Sequence, residues 1–174
     1  MAPPWDEGRG VFVFKLPNIF KLGPKARDAG IYVAGGLFAL GWWVFIDGIT
    51  LASRNQDSVV HIGFEDWVSG ILATLGMIII NLIDKSRLRG DGFGDSGVAW
   101  KARLFLFVGF ALMAGGLAGS LSVLAVKYLD KGIHMPELYY GIAGVVQCSL
   151  IMISTVVLWV AHNAESEYQY NFLL

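Results

Sequence analysis

Asp47 is the residue in this sequence best placed to do membrane chemistry. It stands inside an apolar run, IYVAGGLFALGWWVFIDGITLA, and is followed by Gly48 and Thr50. An acid within a membrane-crossing stretch is costly, and such acids often mark proton or cation sites. A conducting path needs partner groups near the midplane, and no second acid occupies a matching depth. Asp47 lies toward the far end of its run, where it reaches headgroup water or bonds to a neighbouring helix. Asn81 and Gln147 are the other strongly polar groups inside apolar runs. Gln147 sits about two turns inside its run, where an amide needs a partner. An interhelical hydrogen bond there is worth about 0.6–2 kcal/mol, so Gln147 is read as glue between helices.

The remaining reactive groups do not assemble into a set. The three histidines are His61, His134 and His162. The first two fall in loops on one side of the membrane and the third on the other, so they cannot share a metal. His61 with Asp57, Glu65, Asp66, His134 and Glu137 is a candidate cation or pH-sensing cluster. It lacks metal-ligand spacing such as HxxxH, and solvated loop residues are the simpler reading. The single Cys148 has no base nearby in sequence and reads as a small packing residue. One cysteine forms no intramolecular disulfide and says nothing of redox compartment. GxSxG, P-loop and CxxC patterns are missing. The sequence therefore leads to no enzyme, no cofactor and no metal, and the net charge of −1 gives no reason to expect a nucleic-acid partner.

The elements that would position these residues are membrane helices. The chain has 174 residues, of which 55% are hydrophobic and 16% charged, with a mean hydropathy of +0.58. Soluble domains carry about 25% charged residues. The apolar excess is gathered in four runs, which predict spans at 31–52, 67–83, 102–126 and 139–162. At about 1.5 Å per residue, 102–126 can cross a hydrocarbon core of about 30 Å. Tyr139, Tyr140 and Trp159 are placed as interface anchors of the last span. No run has the period-two alternation of a barrel strand, so the expected fold is an all-α membrane protein with four transmembrane helices.

Residues 1–30 form an arm ahead of the first span. Within it, 11–22 (VFVFKLPNIFKL) sets Phe12, Phe14 and Phe20 beside lysines and is broken by Pro17, which suits a short amphipathic segment at the lipid boundary. Residues 1–10 lack the basic and apolar regions of a cleavable signal peptide, so the first span is expected to be its own insertion signal. Five lysines and arginines lie in the arm and five in the loop between the second and third spans with its flank, ten of the thirteen in the chain. Placing these in the cytosol puts both termini there. The tail, 163–174, carries Tyr170 and Leu173 in a tyrosine, two residues, bulky apolar pattern. Adaptor complexes read such patterns as extended peptides.

The third run has a further regularity. Ala111, Gly115 and Gly119 recur every four residues, and Ala114, Ala118 and Ser122 form a second such row. Small side chains at this spacing make a flat face on which another helix can pack closely, inside the bundle or on a partner. The third helix is therefore expected to be the one its neighbours pack against.

Several stretches also resemble a known family. GGLFALGWWVFIDG, SRLRGDG, ARLFLFVGFALMAGG and YYGIAGVVQ are similar to the transmembrane protein 50 family. FKLPNIF, GVAWKARLFLFVGFALMAGGLAGS and AESEYQY resemble its fungal branch, the vacuolar protein sorting-associated protein 68 group. The resemblance runs in order along nearly the whole chain. It implies a non-enzymatic four-span protein of late endosome and vacuole membranes. It also implies a partner, a small membrane protein of the vacuolar protein sorting 55 (leptin receptor overlapping transcript) group, and a role in endosome-to-vacuole traffic alongside the ESCRT machinery. The alternative is an accessory subunit of a transporter or channel, motivated by Asp47, Asn81 and Gln147. Against it stand the four spans, without inverted repeat or matched broken helices.

Overall fold

The computed structural model describes residues 24–55, 62–83 and 96–171. These form four long helices: α1 (Pro24–Arg54), α2 (Phe64–Leu82), α3 (Ser96–Val123) and α4 (Leu138–Asn171). Beyond Val123 the α3 helix runs on as a wider π-helical turn over Leu124–Leu129. The described residues contain no strand. Each helix has a stretch long and apolar enough to cross a membrane: Arg27–Arg54, Phe64–Leu82, Trp100–Leu129 and Leu138–His162. The fold is therefore the all-helical, four-span class that composition and run length imply. The interfacial arm at 11–22 lies outside the described residues.

The helices alternate in direction. Gly30 meets Ala161 and Gly48 meets Ala143, so α1 and α4 run antiparallel. Gly109 meets Ile80 and Gly116 meets Ser69, so α2 and α3 do the same. Joined by the connections 55–63 and 130–137, the end of α1, the start of α2, the end of α3 and the start of α4 share one end of the bundle, here the short-loop end.

The helix at the centre is α4, which packs along α1 and also against α2 and α3. This corrects the expectation that the third helix would be the hub. The third helix packs chiefly on α2. The reason is in the α4 sequence, which offers small or polar residues on several sides at once. Ala143, Cys148, Ser154, Thr155 and Ala161 are all buried. Gly141 makes room for the Tyr128 ring, since a Cβ there would lie 2.7 Å from the Tyr128 Cδ2. The α3 helix has one such inward strip only.

The turn leaving α3 is set by local chemistry. Asp130 N–H bonds to Ala125 O at 2.9 Å and Ile133 N–H to Tyr128 O at 3.1 Å, both five residues back. Gly132 closes this turn at φ +64°, a left-handed conformation that glycine adopts without steric cost.

Candidate functional site

Polar side chains at the short-loop end tie helices together. Lys127, on the wide turn, places its ammonium 2.8 Å from Glu65 Oε1 and 2.5 Å from Asp66 Oδ2 on α2. Asp66 is 8% exposed and also accepts the Gly63 N–H at 2.9 Å, closing the first turn of α2. Next to Lys127, Tyr128 is fully buried at the α4 contact, and no described protein group hydrogen-bonds its hydroxyl. The wide turn adds one residue per turn and so aims Lys127 at α2 while Tyr128 enters α4. Such turns recur at functional positions in helices.

Asp47 is exposed on α1 and meets a tyrosine, not a second acid. The Tyr139 hydroxyl donates to its Oδ2 at 3.0 Å, tying the end of α1 to the start of α4. Of the expected loop cluster, Glu65 and Asp66 are engaged by Lys127. His134 is exposed and Glu137 half-buried, while Asp57 and His61 lie outside the described residues. Among the described residues no three of His, Cys, Asp and Glu come together as a metal set. His162 is exposed on α4, far along the chain axis from His134. Beside the Asp47–Tyr139 tie lies a groove of about 740 Å³ lined by Leu51, Arg54, Asn55, Met135, Pro136, Tyr139 and Tyr140.

Deeper in the bundle and at the far end of α2 the polar groups divide into satisfied and unsatisfied. Asn81 donates to the Met77 carbonyl one turn back, at 2.8 Å, and links no helices. Ser154 donates across to the Ala34 carbonyl at 2.7 Å, and Thr155 donates to the Ile151 carbonyl at 2.8 Å. The Cys148 thiol points at the Gly116 carbonyl, 3.7 Å away, in a buried packing position. Gln147 is fully buried between α1 and α2, against the Cα faces of Gly41 and Gly70. Neither of its amide atoms reaches a partner among the described residues, so the expected interhelical bond is not formed with them. A buried, unbonded amide costs on the order of 1–3 kcal/mol. Gln147→Met keeps the length of the side chain and removes the polar atoms. It is expected to raise the thermal stability of the detergent-solubilised chain by about 1 kcal/mol, read from its unfolding midpoint.

The two sides of α3 differ in what they touch. Its inner strip is Ala102, Gly109, Met113, Gly116 and Ser120, all buried. A Cβ on Gly116 would stand 2.7 Å from the Ser69 carbonyl oxygen and 3.0 Å from the Ala73 nitrogen. One on Gly76 of α2 would stand 2.7 Å from the Gly109 carbonyl oxygen. The two backbones thus approach through glycine on both sides. Ala111, Ala114, Gly115, Ala118 and Ser122 are exposed, and nothing lies within 4 Å of a Cβ placed on Gly115. Ser122 bonds back to the Ala118 carbonyl at 2.9 Å. Gly119 sits at the margin, its Cβ position 4.0 Å from the Ser69 Cβ. Reading four-residue rows alone misses the inner strip. The seven-residue spacing of Ala102, Gly109 and Gly116 was the available signal. The Lys127–Asp66 pair had no local signal, because its members are 61 residues apart. In the tail, Tyr170 belongs to the backbone of α4, which continues to Asn171, and Leu173 lies outside the described residues.

Four membrane-length helices, short connections and polar groups spent on helix ties define a small multi-pass membrane protein of the all-helical class. The chain belongs to the family described as the uncharacterised protein family UPF0220, whose sequence model matches residues 9–168. It is 41% identical over 177 residues to the vacuolar protein sorting-associated protein 68 of Saccharomyces cerevisiae, covering 94% of each chain. It is also 41% identical to a UPF0220 protein of Schizosaccharomyces pombe, over 94% of this chain and 96% of that one. A transmembrane protein 50 homologue of Dictyostelium discoideum is 32% identical over 72% of this chain and 84% of its own. No solved structure matches.

Proposed function

We propose that this chain is a non-enzymatic, multi-pass membrane subunit of an endosomal trafficking complex. It acts in protein transport from late endosome to vacuole, the multivesicular body pathway, with both termini in the cytosol. The observation that carries the reading is the 41% identity, across 94% of both chains, to a protein named for vacuolar protein sorting. The partner is a small membrane protein of the vacuolar protein sorting 55 (leptin receptor overlapping transcript) type. Surrounding lipid and cytosolic ESCRT or adaptor proteins meet the outer surface and the two chain ends.

The outer face of α3 supplies the contact. Inside a bilayer lipid tails are as apolar as leucine, so helices join by close packing on small side chains. Ala111, Ala114, Gly115 and Ala118 are exposed beside Gly119 and Ser122, and the bundle itself does not need Gly115 bare. Gly115→Leu tests this without disturbing the fold. The variant is expected to keep the wild-type unfolding midpoint while recovery of the co-expressed partner from gentle detergent falls about tenfold, the equivalent of about 1.4 kcal/mol. Undiminished recovery would remove the outer face of α3 from the complex. Correct delivery of a vacuolar hydrolase in cells lacking the chain altogether would remove the sorting role.

A further inference from the structure

We infer that the groove between the end of α1 and the start of α4 is a binding site for the phosphodiester headgroup of a membrane glycerophospholipid. It is lined by Leu51, Arg54, Asn55, Met135, Pro136, Tyr139 and Tyr140 and measures about 740 Å³, within the range of about 300–1,000 Å³ typical of small-ligand sites. Arg54 is the one charged side chain among the described residues lining it. Among the described residues no carboxylate forms an ion pair with Arg54. Of the other described basic side chains at this end, Lys127 is held by Glu65 and Asp66 and Lys131 is exposed outside the groove. Among the described lining residues Arg54 is thus the positive charge, with the Asp47 carboxylate held at the groove's edge by Tyr139, and a phosphodiester complements the guanidinium.

The rest of the lining says what that anion is attached to. Leu51 and Met135 are 45% and 66% exposed, and α1 also exposes Ile46 and Trp43 nearer the middle of the bundle, with the exposed Asp47 one turn before Leu51. The groove thus opens onto the surface that faces acyl chains, at the level where the first span ends. A guanidinium offers paired N–H donors to phosphate oxygens, and Asn55 adds an amide at the same rim. Tyrosine is an amphipathic ring suited to the headgroup level. Tyr139 is fixed as a wall by its bond to Asp47, at 3.0 Å. Tyr140 is 6% exposed and packed against Tyr128. An anion bearing acyl chains satisfies the cation, the aromatic walls and the open apolar side together. A free phosphate ester would leave Leu51, Met135 and Pro136 facing water.

The site does not depend on the sorting role, and its test needs only the purified chain. Full-length protein stripped of lipid in mild detergent is titrated with dioleoyl phosphatidylglycerol and followed by native mass spectrometry. One bound phosphatidylglycerol per chain is expected. Dioleoylglycerol, with the same acyl chains and no phosphate, is expected to bind at least about tenfold more weakly, and glycerophosphate likewise. Arg54→Gln should lower phosphatidylglycerol affinity about tenfold. Leu51→Trp, which fills the groove from the lipid side, should do the same through a different group. The exposed Lys131→Gln, which is outside the groove, should change nothing. Equal binding of dioleoylglycerol, or wild-type affinity in both Arg54→Gln and Leu51→Trp, would overturn the site. Glycerophosphate binding as tightly as the lipid would assign the groove to soluble phosphate esters and overturn the lipid assignment.

Discussion

Gly116→Leu is expected to cost at least about 3 kcal/mol and to leave little monodisperse protein after detergent extraction. The reason is what the new side chain would meet. Its Cβ alone would stand 2.7 Å from the Ser69 carbonyl oxygen and 3.0 Å from the Ala73 nitrogen. Both are backbone atoms of α2, so no rotamer change can clear them. Overpacking where side chains can move costs about 1–3 kcal/mol. Here α2 and α3 must separate, and the facing glycine contact between Gly76 and Gly109 opens with them. The neighbouring Gly115→Leu is the control, since nothing lies within 4 Å of its Cβ position. Size-exclusion profiles and thermal unfolding followed by circular dichroism distinguish the two. Equal behaviour of Gly115→Leu and Gly116→Leu would mean that the α2–α3 interface is not as close as the structure has it.

Lys127→Met is the second large expected effect, about 3 kcal/mol of lost stability. The Lys127 side chain is 15% exposed and that of Asp66 8%. Removing the cation leaves the Asp66 carboxylate buried with the Gly63 N–H as its remaining donor among the described residues. Stranding one member of a buried ion pair costs about 3–5 kcal/mol, and the low end applies at the water-facing end of the bundle. Glu65 is the contrast. Its side chain is 54% exposed, so Glu65→Gln should change stability by less than about 0.5 kcal/mol. The double variant with Asp66→Asn should recover part of the Lys127→Met loss, because the unpaired charge is then gone. A thermal-unfolding double-mutant cycle measures that recovery as a coupling energy. Additive losses would mean that the two residues do not act on each other.

These two sites show how differently the sequence exposes its own organisation. The four spans were legible because hydrocarbon thickness imposes a length on apolar runs, and length is a property of consecutive residues. The small-residue character of the third run was legible for the same reason. Which of its small residues face inward was not. Rows every four residues and rows every seven coexist in 102–126, and only the position of α2 selects Gly109 and Gly116 over Gly115. Asp47 and Asn81 could be seen as intramembrane polar groups from sequence. That one reaches Tyr139, 92 residues away, while the other bonds to its own helix needed the fold.

The sequence alone determined the class of the protein: apolar runs of membrane length, scarce charge between them and no local pattern of reactive residues. These are short-range properties, and a bilayer reads them one helix at a time. Tertiary structure decided that α4 lies at the centre, that Lys127 crosses to Asp66, that the Gln147 amide finds no partner among the described residues and that Arg54 overlooks a groove. Each depends on how two helices are rotated about their axes. Within lipid that rotation is set by which small faces meet, a choice made between segments far apart in the chain.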